Sequence, residues 1–375
     1  MDFNLTDEQR MLWDTLCRMV DNEYDINARH AHAESKCGFS RDMWSRLADM
    51  GVLAIPFAEE NGGFGGGGVE RMLVMEAFGR GLLLEPYLAS IILGGGLVER
   101  AGDQAQRRRY LKPLLEGELL LAVAHQEPQS RYSATDVVTS AERCTDGFRL
   151  RGHKAVVFNG ESAGRIIVSA RIDGADGGGE GISLFIVDAC SPGVHVRGYR
   201  SIDGGRTAEI ELDNVAVDSS ALLGEPGTGL VHLQAVHAHG ASALCGEAVG
   251  IMEYMIDATL TYLKQRKQFG TPLASFQVLQ HRVVDMRIQL EQARSMAILA
   301  ATVDQAPEGE RQVRVAAAKA FIGQAGRFVA EQAIQLHGGV GMTWEYALSH
   351  YAKRLVMIDH QLGDAEHHLE AVASP

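Results

Sequence analysis

Three stretches of this sequence combine residue types and spacing that could do chemistry. In 61-NGGFGGGGVERM-72, Gly63-x-Gly65-x-x-Gly68 has the spacing of a dinucleotide-binding turn. Such a turn ends a buried strand at its first glycine and rests a pyrophosphate on the N-terminus of the next helix. Here the strand-like run 52-VLAIPF-57 carries Pro56, and Glu59 and Glu60 would face the phosphates. The stretch 82-LLLEPYLAS-90 has a proline where a second apolar strand is needed. The glycines therefore read as a flexible connection between helices, supplying backbone freedom, and Gly65→Ala is expected to be tolerated. In 262-YLKQRKQFGTPLASFQVLQHRVVDM-286, Arg266 ends one helical pattern, Phe269-Gly270 makes a turn and Gln277 opens the next pattern. Residue types alone leave this open to being a capped turn with a solvated arginine. In 354-RLVMIDHQLGDAEHH-368, His367-His368 suggests a metal, but adjacent helical residues point about 100° apart. A solvated helix end is the expectation there, and no metal site is assigned. Arg107, Arg108 and Arg109 likewise read as a solvated helix face before a phosphate-binding patch.

The elements that position these residues follow from periodicity. Thr6 and Gln9 form a capping-box signature ahead of apolar residues at Met11, Leu12, Leu16, Met19 and Val20, at helical spacing. Further helical patterns at 40–51, 69–81 and 104–116 define an all-helical N-terminal domain over 1–117. Residues 118–225 switch to short β-branched runs, 155-AVVF-158, 166-IIVSA-170 and 183-SLFIV-187, with turns such as 173-DGADGGGEG-181. Short strands without long helices between them favour a barrel or sandwich. Residues 226–375 return to helical periodicity in four segments, 230–266, 274–303, 308–337 and 343–371, expected to form a four-helix bundle. The fold class expected is α+β.

The 375-residue chain carries 48 acidic against 35 basic residues, a formal charge of −13, which argues against nucleic-acid binding by phosphate neutralisation. No apolar run is long enough to span a bilayer. The N-terminus lacks the pattern of a secretory signal, and Cys17, Cys37, Cys144, Cys190 and Cys245 are dispersed. A cytoplasmic protein with reduced cysteines is the expectation.

The string R-x-Q-F-G-x-P-L-x-x-F-Q-x-x-Q over 266–280, with 335-QLHGGVGMT-343, resembles the acyl-CoA dehydrogenase family, whose members oxidise acyl-CoA thioesters with bound FAD. The likeness extends to 102-GDQAQRRRYLKPLLEGE-118 and 124-AHQEP-128. It implies a helical domain, a central β-barrel and a four-helix bundle, and gives 61-NGGFGGGG-68 a counterpart in the helical domain. It places Arg266, Phe269 and Gln277 on the diphosphate and adenine half of FAD across a subunit interface, with Gln335, Gly338 and Gly339 against the same portion. Gln126, Glu127, Thr139, Lys154 and Phe158 correspond to the region packed on the flavin ring. The usual Trp-Ile-Thr after the lysine is here Val156, Val157 and Phe158, and the Gly-Ser-Asp turn after Glu-Pro is replaced by 129-QSRYSATD-136.

Most family members supply the α-proton acceptor as a Glu directly before a late Gly, and others place it on the helix preceding the R-x-Q-F-G turn, beside an Arg. Those positions are Leu362, before Gly363, and Gly240-Ala241. Neither holds a carboxylate. Asp364, Glu247 and Asp359 are the remaining candidates, each also explicable as structural. The resemblance implies FAD as cofactor, an acyl-CoA substrate, an electron-transfer flavoprotein as acceptor, and a homo-oligomer or a heterotetramer with a related subunit. Lys353-Arg354, Gly363-Asp364 and His367-His368 resemble a branch built from unlike subunits. A non-catalytic partner subunit and a flavin-dependent monooxygenase are the alternative readings.

Overall fold

The protein is described here by a computed structural model covering residues 4–172, 181–303 and 306–373. The turn expected at 173–181, Gly181 apart, lies outside the described residues. Six helices come first: α1 (Asp7–Glu23), α2 (Ile26–Glu34), α3 (Arg41–Asp49), α4 (Gly68–Gly81), α5 (Gly96–Ala101) and α6 (Gln104–Leu115). Eight strands follow: β1 (Leu121–Ala124), β2 (Ser140–Cys144), β3 (Gly147–Phe158), β4 (Arg165–Ile172), β5 (Ile182–Asp188), β6 (Val194–Arg200), β7 (Arg206–Asp218) and β8 (Leu222–Leu223). Next come α7 (Gly229–Gln265), a hairpin of β9 (Lys267–Gln268) and β10 (Thr271–Pro272), α8 (Gln277–Ala301), α9 (Glu308–His337), α10 (Leu348–His360) and α11 (Ala365–Ala373).

The described residues form two compact units, one drawn from Met1–Ala31, Gly67–Leu83 and Ala241–Pro375, the other from His32–Gly66 and Leu84–Gly240. In the first, α1 packs on α4, and α9 packs on α8, α10 and α11. The capping box forms as expected: Gln9 N–H donates to Thr6 Oγ1 (3.2 Å) and Gln9 Oε1 accepts from Thr6 N–H (3.0 Å). Residues 241–252 of α7 are buried on every side, which their small and apolar side chains permit. The fourth bundle helix expected over 343–371 is two helices. Leu362 (φ 57°) and Gly363 (φ 102°) take left-handed backbone, and Asp364 caps α11 through His367 N–H (2.8 Å).

In the second unit, seven strands run in the order β6-β7-β3-β2-β4-β5-β8. One edge of β4 takes β1 in parallel at Arg165–Val168 and β2 in parallel at Arg171–Ile172. The pairings make a mixed sheet, and among the described residues none joins β6 to β8, so the expected barrel is not closed here. Phe148, Leu150, Ile166, Val168, Phe185, Ile210 and Val215 are buried in its core. The strand expected at 52-VLAIPF-57 is instead a 3₁₀ turn over Val52–Ala54, entered through Gly51 at φ 76°. The glycine-rich loop is also not a free connection. Gly65 N–H donates to Phe57 O (2.7 Å) and Gly66 N–H to Ile55 O (2.8 Å), and a Cβ on Gly63 would lie 2.0 Å from Phe57 O. Gly63 is thus required for close approach, and no strand leads into the loop.

Candidate active site

Two groups of residues singled out in the sequence are each brought together, one in each unit. At the end of the helical unit, α7 continues one residue beyond its last turn through Arg266 N–H to Tyr262 O (2.8 Å). The β9–β10 hairpin then turns on Phe269 (φ 53°) and Gly270 (φ 81°), closed by Leu273 N–H to Arg266 O (2.8 Å). Both central turn residues in left-handed backbone fit a tight two-residue hairpin. Phenylalanine is nevertheless a costly choice there, and its ring is 91% exposed. Tyr262 stacks on His337, the last residue of α9, with centroids 4.4 Å apart. That stack sets Arg266, one turn after Tyr262, at the same end as the residues following His337. Gly338 adopts φ 66°, ψ −148°, a conformation open essentially to glycine alone. A Cβ on Gly339 would meet nothing within 4 Å. Arg266, Gln277 and Gln335 are exposed, and among the described residues none of their side chains has a hydrogen-bond partner.

In the sheet unit, Lys154 and Glu127 form an ion pair (2.7 Å) with both side chains fully buried. Lys154 Nζ also donates to His125 O (3.3 Å) and Ser169 Oγ (3.1 Å), so all three ammonium protons are used. Glu127 accepts in addition from Val138 N–H (2.8 Å), Thr139 N–H (3.1 Å) and Gln129 Nε2 (3.0 Å). Burial pushes Glu127 upward, but the Lys154 charge and these donors prevail and hold its carboxyl at about 2. Burial outweighs Glu127 at Lys154 and brings the amine down to about 8. Because Ser169 Oγ accepts from Lys154, its own hydrogen is left for His125 Nδ1 (2.9 Å). The hydrogen-bond network thereby assigns the proton of neutral His125 to Nε2, a buried atom with no partner among the described residues. The His125 ring lies 5.6 Å from that of His237 on α7.

His125, Ser169 and His237 were not singled out in the sequence. The one signal was a histidine directly after an apolar strand. Of the expected flavin-side residues, Gln126 donates Nε2–H to Arg131 O (3.0 Å), and Thr139 Oγ1 is buried without a partner. Phe158 is half-buried at the end of β3. Val156 sits at a register shift in the β3–β7 ladder, with φ 52° and its side chain exposed. Left-handed backbone at a β-branched residue is a genuine outlier.

The carboxylates near the two empty base positions are engaged. Asp364 caps α11, and Asp359 Oδ1 accepts from Ala365 N–H (3.2 Å). Buried Glu247 holds Arg354 bidentately, at 2.6 Å from Nε and 2.8 Å from Nη2. The loop bearing Leu362 is clamped by buried Lys319, whose Nζ donates to Asp359 O (3.0 Å) and Gly363 O (2.9 Å), and by His368 Nε2 to Leu362 O (3.0 Å). Burial lowers Lys319 to about 8, against the opposing pull of Cys245, Asp359 and Asp364. Among the described residues, no cluster of three or more His, Cys, Asp or Glu side chains has the arrangement of a metal site. His367 and His368 make a ring contact at 5.2 Å.

Comparison with known proteins bears on these sites. The chain matches the acyl-CoA dehydrogenase N-terminal domain at 6–118, the middle domain at 122–215 and the C-terminal domain at 227–374. It is 30% identical to a probable acyl-CoA dehydrogenase of Bacillus subtilis over 371 residues, covering 98% of this chain and 97% of that one. Among solved structures it resembles PigA with FAD and proline, at TM-score 0.92 and 25% identity over 100% of this chain and 98% of that one. It also resembles a chain of the ChsE4–ChsE5 complex from Mycobacterium tuberculosis, at TM-score 0.89 and 27% identity over 100% and 98%. The chain is a member of the acyl-CoA dehydrogenase family.

Proposed function

We propose that this chain is a FAD-dependent acyl-CoA dehydrogenase, or a subunit of one, that introduces an α,β double bond into an acyl-CoA thioester. The carrying observation is the end of the helical unit. There the exposed side chains of Arg266, Gln277 and Gln335 have no hydrogen-bond partner among the described residues, and Gly338 takes a glycine-only conformation beside Gly339, where the space for a Cβ is open. A planar guanidinium is a good diphosphate partner, and glycines let backbone N–H groups approach an anion. In this reading these residues hold, across a subunit interface, the cofactor's diphosphate and adenine half. When bound, the flavin supplies the acceptor for the β-hydrogen. On the sheet unit, Gln126, Thr139 and Phe158 would face its ring. Electrons pass on to an electron-transfer flavoprotein, and the location is cytoplasmic. Among the described residues, no helix is long and apolar enough to cross a membrane.

A second reading is favoured by one specific observation. Leu362 and Gly240 stand where the family places its base, and Glu247, Asp359 and Asp364 are tied into ion pairs and caps. A partner subunit that completes a heteromer, as in the ChsE4–ChsE5 pair, would show that pattern. The chain is to be purified alone and with the product of any adjacent related gene, and the flavin spectrum followed through additions of acyl-CoAs. Bleaching by the chain alone would sink the partner-subunit reading. Absence of flavin in both preparations would sink the dehydrogenase reading.

A further inference from the structure

The helix position matching the family's second base site, Gly240, has no side chain, but a histidine stands one turn before it. On an α-helix, residues three apart lie about 60° apart and about 4.5 Å along the axis. Helical side chains lean toward the N-terminus, so a base rooted at 240 would cover the turn that begins at 237. His237 is rooted in that turn, on an unbroken stretch of α7.

His237 also differs from the other polar groups around it. Its ring nitrogens have no hydrogen-bond partner among the described residues, and the side chain retains some exposure, whereas Lys154, Glu127 and Ser169 bond to one another. The ring of His125, fixed by Ser169, lies 5.6 Å from its own. Burial lowers His237 to about 4, so at neutral pH it carries a free lone pair. A basicity near 4 is that of an ordinary carboxylate, the group it would replace.

We propose that His237 is the proton acceptor of this chain, removing the α-proton of an acyl thioester in place of the carboxylate missing at 240 and 362. The α C–H bond breaks, its proton forms an N–H bond on the imidazole, and the electron pair passes to the thioester as an enolate. His125, held by Ser169, is the positioning residue beside it. The assignment rests on the acyl-CoA dehydrogenase reading.

The test isolates this step from oxidation. A 3-thiaacyl-CoA has sulfur in place of the β-carbon and cannot lose a β-hydrogen, yet its α-protons are acidic. The full-length protein as purified with its FAD, and with its partner if it has one, is incubated with 3-thiabutyryl-CoA in deuterium oxide. Exchange of the α-protons is read by NMR, and binding is read by perturbation of the flavin spectrum. The wild type is expected to exchange, and His237→Gln to lose about 100-fold or more in exchange rate, with analogue binding and FAD content retained. His237→Ala is expected to regain exchange when imidazole is added, which a packing role would not produce. Exchange by His237→Gln at the wild-type rate, or a wild type that binds the analogue without exchanging it, overturns the assignment. A wild type that carries FAD but does not bind the analogue overturns the acyl-CoA reading itself, and the assignment with it.

Discussion

The end of the helical unit and the polar cluster of the sheet unit use charged side chains in opposite ways. At the first, the side chains of Arg266, Gln277 and Gln335 are exposed and have no hydrogen-bond partner among the described residues, and the backbone carries the strain, at Phe269 and Gly338. Around Lys154 every ammonium proton is matched and both charges are buried. Removing water from two charges is repaid only when their hydrogen bonds are complete. In the proposed reading, the first region is the one that meets a cofactor from outside this chain. The second is built to hold its own strands, and among the described residues His125 Nε2 and Thr139 Oγ1 are left there as buried polar atoms without a partner.

The sharpest way to break this contrast is Lys154→Met, which leaves Glu127 charged and buried without its cation. It is expected to cost about 3–5 kcal/mol in urea unfolding, with much of the loss recovered by adding Glu127→Leu. A loss under about 1 kcal/mol would show that the pair is not structural.

Burial of a titratable group outside the sheet unit is tested at His368. Burial first, then the charges of Lys319 and His367, bring it to about 4, against a raising hydrogen bond to Leu362 O. Its folded value lies below its ordinary 6.5, so the unfolded chain binds more protons between the two values and stability rises with pH across that window. Lowering the pH from 7 to 4 should remove on the order of 3 kcal/mol through His368 by itself, and His368→Gln should take that share out of the pH profile.

At the exposed end the effect should fall on binding and spare the fold. Arg266→Ala is expected to weaken FAD by about 10- to 100-fold, as loss of a charge-assisted hydrogen bond does, with the thermal midpoint of the FAD-free protein unchanged. A fall in midpoint with FAD affinity intact would reverse the assignment. The smallest change is Gly65→Ala. Gly65 has φ 67° and nothing within 4 Å of a built Cβ, so strain of roughly 1 kcal/mol is expected without loss of flavin. Flavin loss there would return the glycine loop to the cofactor site.

Local signals in the sequence carried most of the elements. Thr6 and Gln9 specify the start of α1, and the 3.6-residue patterns mark α3, α4, α6, α7, α8 and α9 to within a few residues. The runs 155–158, 166–170 and 183–187 fall in β3, β4 and β5. Misreadings arose where one residue's backbone overrides periodicity. Gly51 and Pro56 turn an apolar run into a 3₁₀ turn, and Leu362-Gly363 splits a continuous apolar pattern into α10 and α11.

The sequence by itself determined the local relations within 266–280 and, separately, within 335–343, because hairpin and helix geometry act over a few residues; the Tyr262–His337 stack brings the two stretches to one end. Only the tertiary structure decided the rest: that Glu247 is engaged by Arg354, that Lys319 clamps the loop of Leu362, and that His125 faces His237. Those contacts join residues far apart along the chain. Their partners are selected by packing and by the need to satisfy buried charge, neither of which leaves a periodic trace in the sequence.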